Sequence, residues 1–182
     1  MYYVEPIREK RKIRLIKSIL KKSGERNLLL FIFGINCGLR ISDILNLKVS
    51  DVKDVDYVEI KEKKTDKTKK FPITDAYKDL INDYVKNLSK DDWLFKSRKG
   101  VQAITRIQAY RIINKACRKA GITYKIGTHT LRKTFGYHFY RETKDIALLQ
   151  TLFNHSSPTV TLRYIGINQD IIDSNLKAFS LW

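Results

Sequence analysis

Cysteine is nearly missing from this chain: there are two, Cys37 and Cys117, set far apart inside apolar patterns, with no histidine at ligand spacing. That excludes a disulfide framework and argues against structural zinc; both cysteines read as small buried hydrophobes. The histidines number three and form no His-x-x-x-His pair. Long greasy runs are missing too. A membrane-spanning helix needs about 18 apolar residues or more, whereas the longest stretch, Leu28 to Cys37, is broken by Gly34 and Asn36. The N-terminus runs Met1-Tyr2-Tyr3-Val4-Glu5-Pro6 straight into charge, so no secretory leader is read. No Gly-x-x-x-x-Gly-Lys phosphate loop, no carboxylate cluster suited to magnesium and no flexible Gly/Ser linker or repeat occurs. The expectation is a soluble, cytoplasmic protein that needs no membrane.

Acids are the other shortage. Against 36 Lys and Arg stand 19 Asp and Glu, a formal charge of +17 at pH 7. Such an excess attracts polyphosphate over the whole surface and nominates nucleic acid as partner. With 182 residues, 43% of them hydrophobic, the chain is long enough for one ordinary core.

The apolar periods predict mainly α structure with a small antiparallel β-sheet. Helices are read over 9–22, where Ile13, Ile16, Ile19 and Leu20 recur at helical spacing, and from Arg26, where Leu28 to Phe33 are apolar all round and predict a buried centre. A short helix carries Ile44 and Leu45. Between Tyr57 and Ile73 the period falls to 2, giving strands at 57–60 and 70–73 around a connector, 61–70, with six lysines. Thr74 is the N-cap candidate of the next helix, Asp91 to Phe95 a candidate third strand, and 96–100 a basic loop. Thr105 and Gly121 bracket another helix. Thr128 is read as the cap of a helix from His129 to Arg141, followed by short helices at 144–153, 158–165 and 168–179. Ser157 and Pro158 suit a cap and a first helical position. His129 and Arg132, three apart, share a face of their helix about 60° wide, with Gly136 on the same face leaving room for a close approach; His138 points away.

Several separated motifs stand out: Cys37-Gly38-Leu39-Arg40-Ile41-Ser42-Asp43, the lysine hairpin ending in Phe71-Pro72-Ile73, His129-Thr130-Leu131-Arg132, and Asn154-His155-Ser156-Ser157-Pro158 with Tyr164 nine residues after His155. Their order and spacing resemble those of the tyrosine recombinases, the phage integrase family, over the whole chain. By that resemblance Arg40 and Arg132 correspond to the two catalytic arginines, His129 and His155 to the two histidines, Tyr164 to the nucleophile, and Lys64 to the hairpin lysine, with Lys63 and Lys67 as neighbouring alternatives. It implies a single catalytic domain over 1–182 without the N-terminal core-binding domain, either as a fragment or as a short stand-alone recombinase. It also implies double-stranded DNA with a specific recombination site as partner, protomers assembling as dimer to tetramer, and the helix over 168–179 docking on a neighbour. Lys63, Lys67, Lys69, Lys96, Arg98 and Lys99 are the candidate DNA contacts. No cofactor or metal is implied.

The residue types suit the chemistry without the name. Two guanidiniums clamp the oxygens of an attacked phosphodiester through fork-like charge-assisted hydrogen bonds. A phenol, with its pKa near 10, needs a proton acceptor at neutral pH, and His129 is that candidate. The leaving 5′ oxygen needs a proton, which Lys64 would give, with His155 donating a hydrogen bond to the phosphoryl oxygens. A non-cleaving DNA-binding regulator and a type IB topoisomerase-like relaxing enzyme are the competing expectations; an RNA-binding domain lacks its aromatic strand motif.

Overall fold

The computed structural model describes residues 4–61, 68–167 and 176–179. In chain order the elements are α1 (Lys10–Ser23), α2 (Glu25–Asn36), α3 (Ile41–Ile44), a single 3-10 turn (Val49–Asp51), β1 (Tyr57–Lys61), β2 (Thr68–Pro72), α4 (Asp75–Val85), α5 (Arg106–Lys119), α6 (Thr130–Thr143), α7 (Ile146–Phe153) and α8 (Pro158–Ile165). The mainly α reading with one small antiparallel sheet describes it well. β1 and β2 pair antiparallel from Tyr57↔Pro72 to Lys61↔Thr68, so the hairpin closes over residues 62–67. Those residues, with Lys63, Lys64 and Lys67, lie outside the described ones, as does most of the helix expected at 168–179.

The fold is organised by α2. Its residues from Asn27 to Gly34 are all buried, and it packs against α1, α3, α4, α5 and α6. Phe33 anchors the centre, with ring centroids 6.3, 6.0 and 6.2 Å from those of Phe71, Tyr77 and Phe95 in edge-on geometry. Aromatic pairs of this kind add about 0.5–1.5 kcal/mol each beyond the area they bury. α1 lays Ile16 and Leu20 on this core and turns its lysines and arginines outward. A second, smaller apolar cluster forms where α6, α7 and α8 meet, around Leu149, Phe153, Ile165 and Ile167. α6 joins the two: Leu131 belongs to the main core, whereas Phe135 and Phe139 pack on the smaller cluster.

Local rules explain most boundaries. Thr105 and Gln108 form a reciprocal capping box at the start of α5. Asp145 caps α7 by accepting from Leu148 N–H at 2.8 Å, and Ser157 caps α8 by accepting from Val160 N–H, with Pro158 in the first turn. Three expectations need correction. Asp91–Phe95 is not a strand: Leu94 and Phe95 are both fully buried rather than alternating, and the segment makes only the isolated bridge Lys48↔Trp93. Thr128 does not cap α6. A turn closed by Thr130 N–H donating to Gly127 O shifts the cap position to His129. Gly136 opens no space for a ligand, because the rings and methyls of Phe153 and Ile165 already fill it. No helix among the described residues is long and apolar enough to cross a membrane.

Candidate active site

Five of the six expected site residues converge where α2, α6 and the α7–α8 corner meet. Arg40 follows the end of α2, where Gly38 takes φ +62 and any Cβ on it would press to 2.6 Å from the Phe135 ring, so the chain turns at once and presents Arg40 at the start of α3. Arg132 projects from the first turn of α6. It is 3% exposed; its Nη2 donates to the Phe153 carbonyl at 3.0 Å, and its guanidinium lies 4.5 Å over the Phe153 ring. These contacts fix its plane close to Tyr164, whose hydroxyl its charge influences. His155 is placed by the end of α7. Asn154 adopts the left-handed conformation at φ 53 and stops the helix, and Gln150 clamps His155 from both sides, its carbonyl accepting from the His155 N–H and its amide donating to the His155 carbonyl.

Tyr164 sits in the last turn of α8. Its hydroxyl is 3.3 Å from Nδ1 of His129, and its ring stands edge-on to His129, His155 and Phe153, with centroids 6.4, 5.0 and 5.5 Å away. Burial raises the Tyr164 pKa above the ordinary phenol value, and the charges of Arg132 and Arg40 oppose that rise. His129 keeps one edge open to solvent. Loss of water around its packed side lowers its pKa first, followed by the charges of Arg132, Arg106, Lys133 and Arg40. The resting pair is therefore a phenol beside a neutral imidazole, with the proton still on oxygen and an acceptor within reach.

His155 is driven further the same way, to about 4, by burial first and then by Arg132, Arg40 and Lys69. Its Nδ1 is 3.1 Å from Oγ1 of Thr161, a fully buried hydroxyl that itself donates to the Ser157 carbonyl at 3.1 Å. With its single proton given to Ser157, Thr161 accepts from Nδ1–H, which leaves Nε2 of the neutral ring without a proton. For Nε2 to donate to a phosphoryl oxygen, the Thr161 hydroxyl has to rotate toward Nδ1. Among the described residues, Lys69 and Lys70 of the hairpin come near: both line, with Gly38, Leu39, Asn154 and His155, a cleft of about 470 Å³, and Lys69 donates to the Leu152 carbonyl.

The basic loop is not part of this site. Lys96 is paired with Asp92 at 2.7 Å, Arg98 reaches the Ser23 carbonyl, and Lys99 is exposed. All three lie by the N-terminal end of α2, roughly 17 Å from its other end at 1.5 Å per residue. His138 points away as expected, bonding the Ile7 carbonyl through Nε2 at 2.9 Å. Both thiols are pushed up to about 12, by burial above all, and are held protonated. Among the described residues no group of three or more His, Cys, Asp or Glu comes together to hold a metal ion. Sequence reasoning passed over Thr161, Lys133 and Arg106. Only the position of Lys133 next to Arg132 could have drawn notice to it.

Residues 7–170 match the phage integrase family. The chain is 50% identical over 179 residues to the probable integrase/recombinase YoeC of Bacillus subtilis, covering 98% of each chain. It is 31% identical over 134 residues to a tyrosine recombinase of Pseudothermotoga lettingae, covering 72% of this chain and 46% of that one. The crystal structure of XerA recombinase superposes with a TM-score of 0.76 at 22% identity, over 98% of this chain and 64% of that one, a likeness of fold. The chain thus spans nearly all of one of these relatives and about half to two thirds of the other two.

Proposed function

We propose, since this chain belongs to the phage integrase family, that it is a site-specific DNA recombinase that breaks and rejoins strands through a 3′-phosphotyrosyl intermediate. The observation that carries the reading is the Tyr164 hydroxyl held 3.3 Å from an imidazole nitrogen under the positive charges of Arg132 and Arg40. Arg40 and Arg132 bind the non-bridging oxygens of the scissile phosphate and stabilise the charge that builds there. The Tyr164 oxygen attacks phosphorus as its proton passes to Nδ1 of His129. The bond to the 5′ oxygen breaks, and that oxygen leaves as a hydroxyl with a proton from the hairpin lysine, which the resemblance assigns to Lys64. One ester bond forms as one breaks, so a 5′ hydroxyl from another strand reverses the step and completes the exchange. Double-stranded DNA bearing a recombination site is the substrate, and protomers pair on it.

The test is a set of nicked suicide duplexes tiled across the genomic sequence that flanks the gene. The wild-type chain should be trapped as a denaturation-resistant DNA adduct, and Tyr164→Phe should not. Adduct persisting in Tyr164→Phe would remove this residue as nucleophile, and DNA binding without any adduct would favour the regulator reading.

A further inference from the structure

Lys133 follows Arg132 on α6, yet it does not extend into solvent: it is 5% exposed, and its Nζ lies 5.1 Å from the centroid of the Tyr164 ring. Burial strips a lysine of its hydration, so one is almost never this deep unless opposite charge or hydrogen bonds compensate it. Burial, above all, lowers the Lys133 pKa; from the N-terminal segment Glu5 opposes that fall and Arg8 adds to it. Glu5 is itself paired with Arg8 at 2.6 Å, so its carboxylate is shared between the two cations.

We infer that Lys133 is a positioning residue of the reaction, holding a fixed positive charge against the face of the Tyr164 ring so that negative charge gathering on its oxygen is stabilised before the bond to phosphorus forms. This rests on the strand-transfer reading above and adds a residue to it. Arg40 and Arg132 are the groups that a bound phosphate engages, and its negative charge offsets theirs. Lys133 sits on the ring face rather than at the oxygen, so its charge remains available to the phenolate when the phosphate is in place. The groups facing Tyr164 are then Arg40 from the start of α3, His129 at the cap of α6, Arg132 from α6, His155 from the α7–α8 corner and, over the face of the ring, Lys133 from α6. Those facing His129 are Arg132, Lys133, Arg40 and, from α5, Arg106. Taking away the Lys133 charge acts on both partners in one direction: the phenol holds its proton more tightly, and the imidazole is protonated more readily.

The test uses Lys133→Met, which keeps an unbranched apolar stem, and Lys133→Arg, which keeps the charge. Tyrosine ring-carbon NMR of the free chain, assigned with Tyr164→Phe, follows the phenol as pH rises. The Tyr164 midpoint should move about one unit to higher pH in Lys133→Met and stay near the wild-type value in Lys133→Arg. On the duplex that traps the wild type, Lys133→Met should form adduct about tenfold more slowly between pH 7 and 9, below the phenol midpoint, and Lys133→Arg should restore most of the rate. An unshifted phenol midpoint, or a Lys133→Arg rate as slow as that of Lys133→Met, overturns the inference while leaving the nucleophile assignment intact. A shifted midpoint in a chain that never forms adduct overturns the strand-transfer reading instead, and with it the role of Lys133 in that reaction.

Discussion

Replacing Gly136 by alanine tests whether the packing of α6 against α7 and α8 sets the geometry of the site. A Cβ there would meet Ile165 Cγ2 at 2.6 Å and the Phe153 ring at 2.7 and 2.8 Å, where ordinary contact begins near 3.4 Å. The three atoms must therefore retreat by about 0.6–0.8 Å, the difference between those distances. Neither neighbour is a loose side-chain end: both are fully buried. Overpacking of this kind costs about 1–3 kcal/mol, and the gain of up to about 1 kcal/mol from removing a helical glycine offsets only part of it. For a chain of this size the net shift is a fall in Tm of a few degrees.

The effect on chemistry should exceed the effect on stability. Phe153 lies under the Arg132 guanidinium at 4.5 Å and edge-on to Tyr164 and His155, with centroids 5.5 and 5.3 Å away. A displaced ring therefore moves the clamp and the nucleophile relative to each other, and a misplacement near 1 Å costs on the order of a hundredfold in rate. Gly136→Ala should melt slightly below the wild type in a thermal scan, fold cooperatively, and form suicide-substrate adduct between ten and a hundred times more slowly. The double variant with Phe153→Leu should lose less stability than the two singles added together. A Gly136→Ala chain with undiminished Tm and wild-type adduct rate would refute the argument.

Two further outcomes follow from the histidine pocket. Thr161→Val removes the hydroxyl bridging His155 and Ser157; adduct formation should drop about tenfold at unchanged DNA affinity, with Thr161→Ser near wild type, whereas an equal loss of affinity would count against a role in orienting His155. His155, with a folded-state pKa of about 4 against an ordinary 6.5, accepts its proton more readily in the unfolded chain. The stability tied to its neutral form is full above about pH 6.5 and declines as pH falls toward 4, and His129 acts in the same direction. The urea midpoint should be lower at pH 5 than at pH 7.5, and a flat profile would contradict the burial of these rings.

The fold was readable wherever burial follows a simple period. α1, α2, α4 and α5 expose one face or none, and their apolar spacing marks them, as Ser157 and Pro158 mark α8. The reading fails where tertiary contacts replace local rules. Leu94 and Phe95 look like strand residues but are both drawn into the core from an irregular segment, and the space left by Gly136 is taken by side chains from two helices far along the chain. The site was legible through its spacing as a set. Arg40, His129, Arg132, His155 and Tyr164 cluster together although four elements supply them. Lys133 and Thr161 were not legible: one more cation among 36 and one more helical threonine carry no pattern, and what distinguishes them is depth of burial.

The site straddles two apolar clusters of unequal size, and that division predicts where the chain opens first. The arginines stand on the large core: Arg40 leaves the end of α2, and Arg132 shares its turn of α6 with the core residue Leu131. His155 and Tyr164 stand on the smaller cluster, whose buried members are Leu149, Phe153, Ile165 and Ile167. Two helices of eight residues each, below the length at which isolated helices persist, depend on that cluster for their stability. Cooperative units with few buried contacts open at lower free energy than the global transition. Amide hydrogen exchange in α7 and α8 should therefore proceed together and faster than in α2, and should slow when a phosphodiester bridges Arg40, Arg132 and Tyr164, because the ligand then ties the small unit to the large one. Equal protection of α8 and α2 in the free chain would mean that the two clusters form a single cooperative unit, and that the nucleophile is held as rigidly before DNA arrives as after.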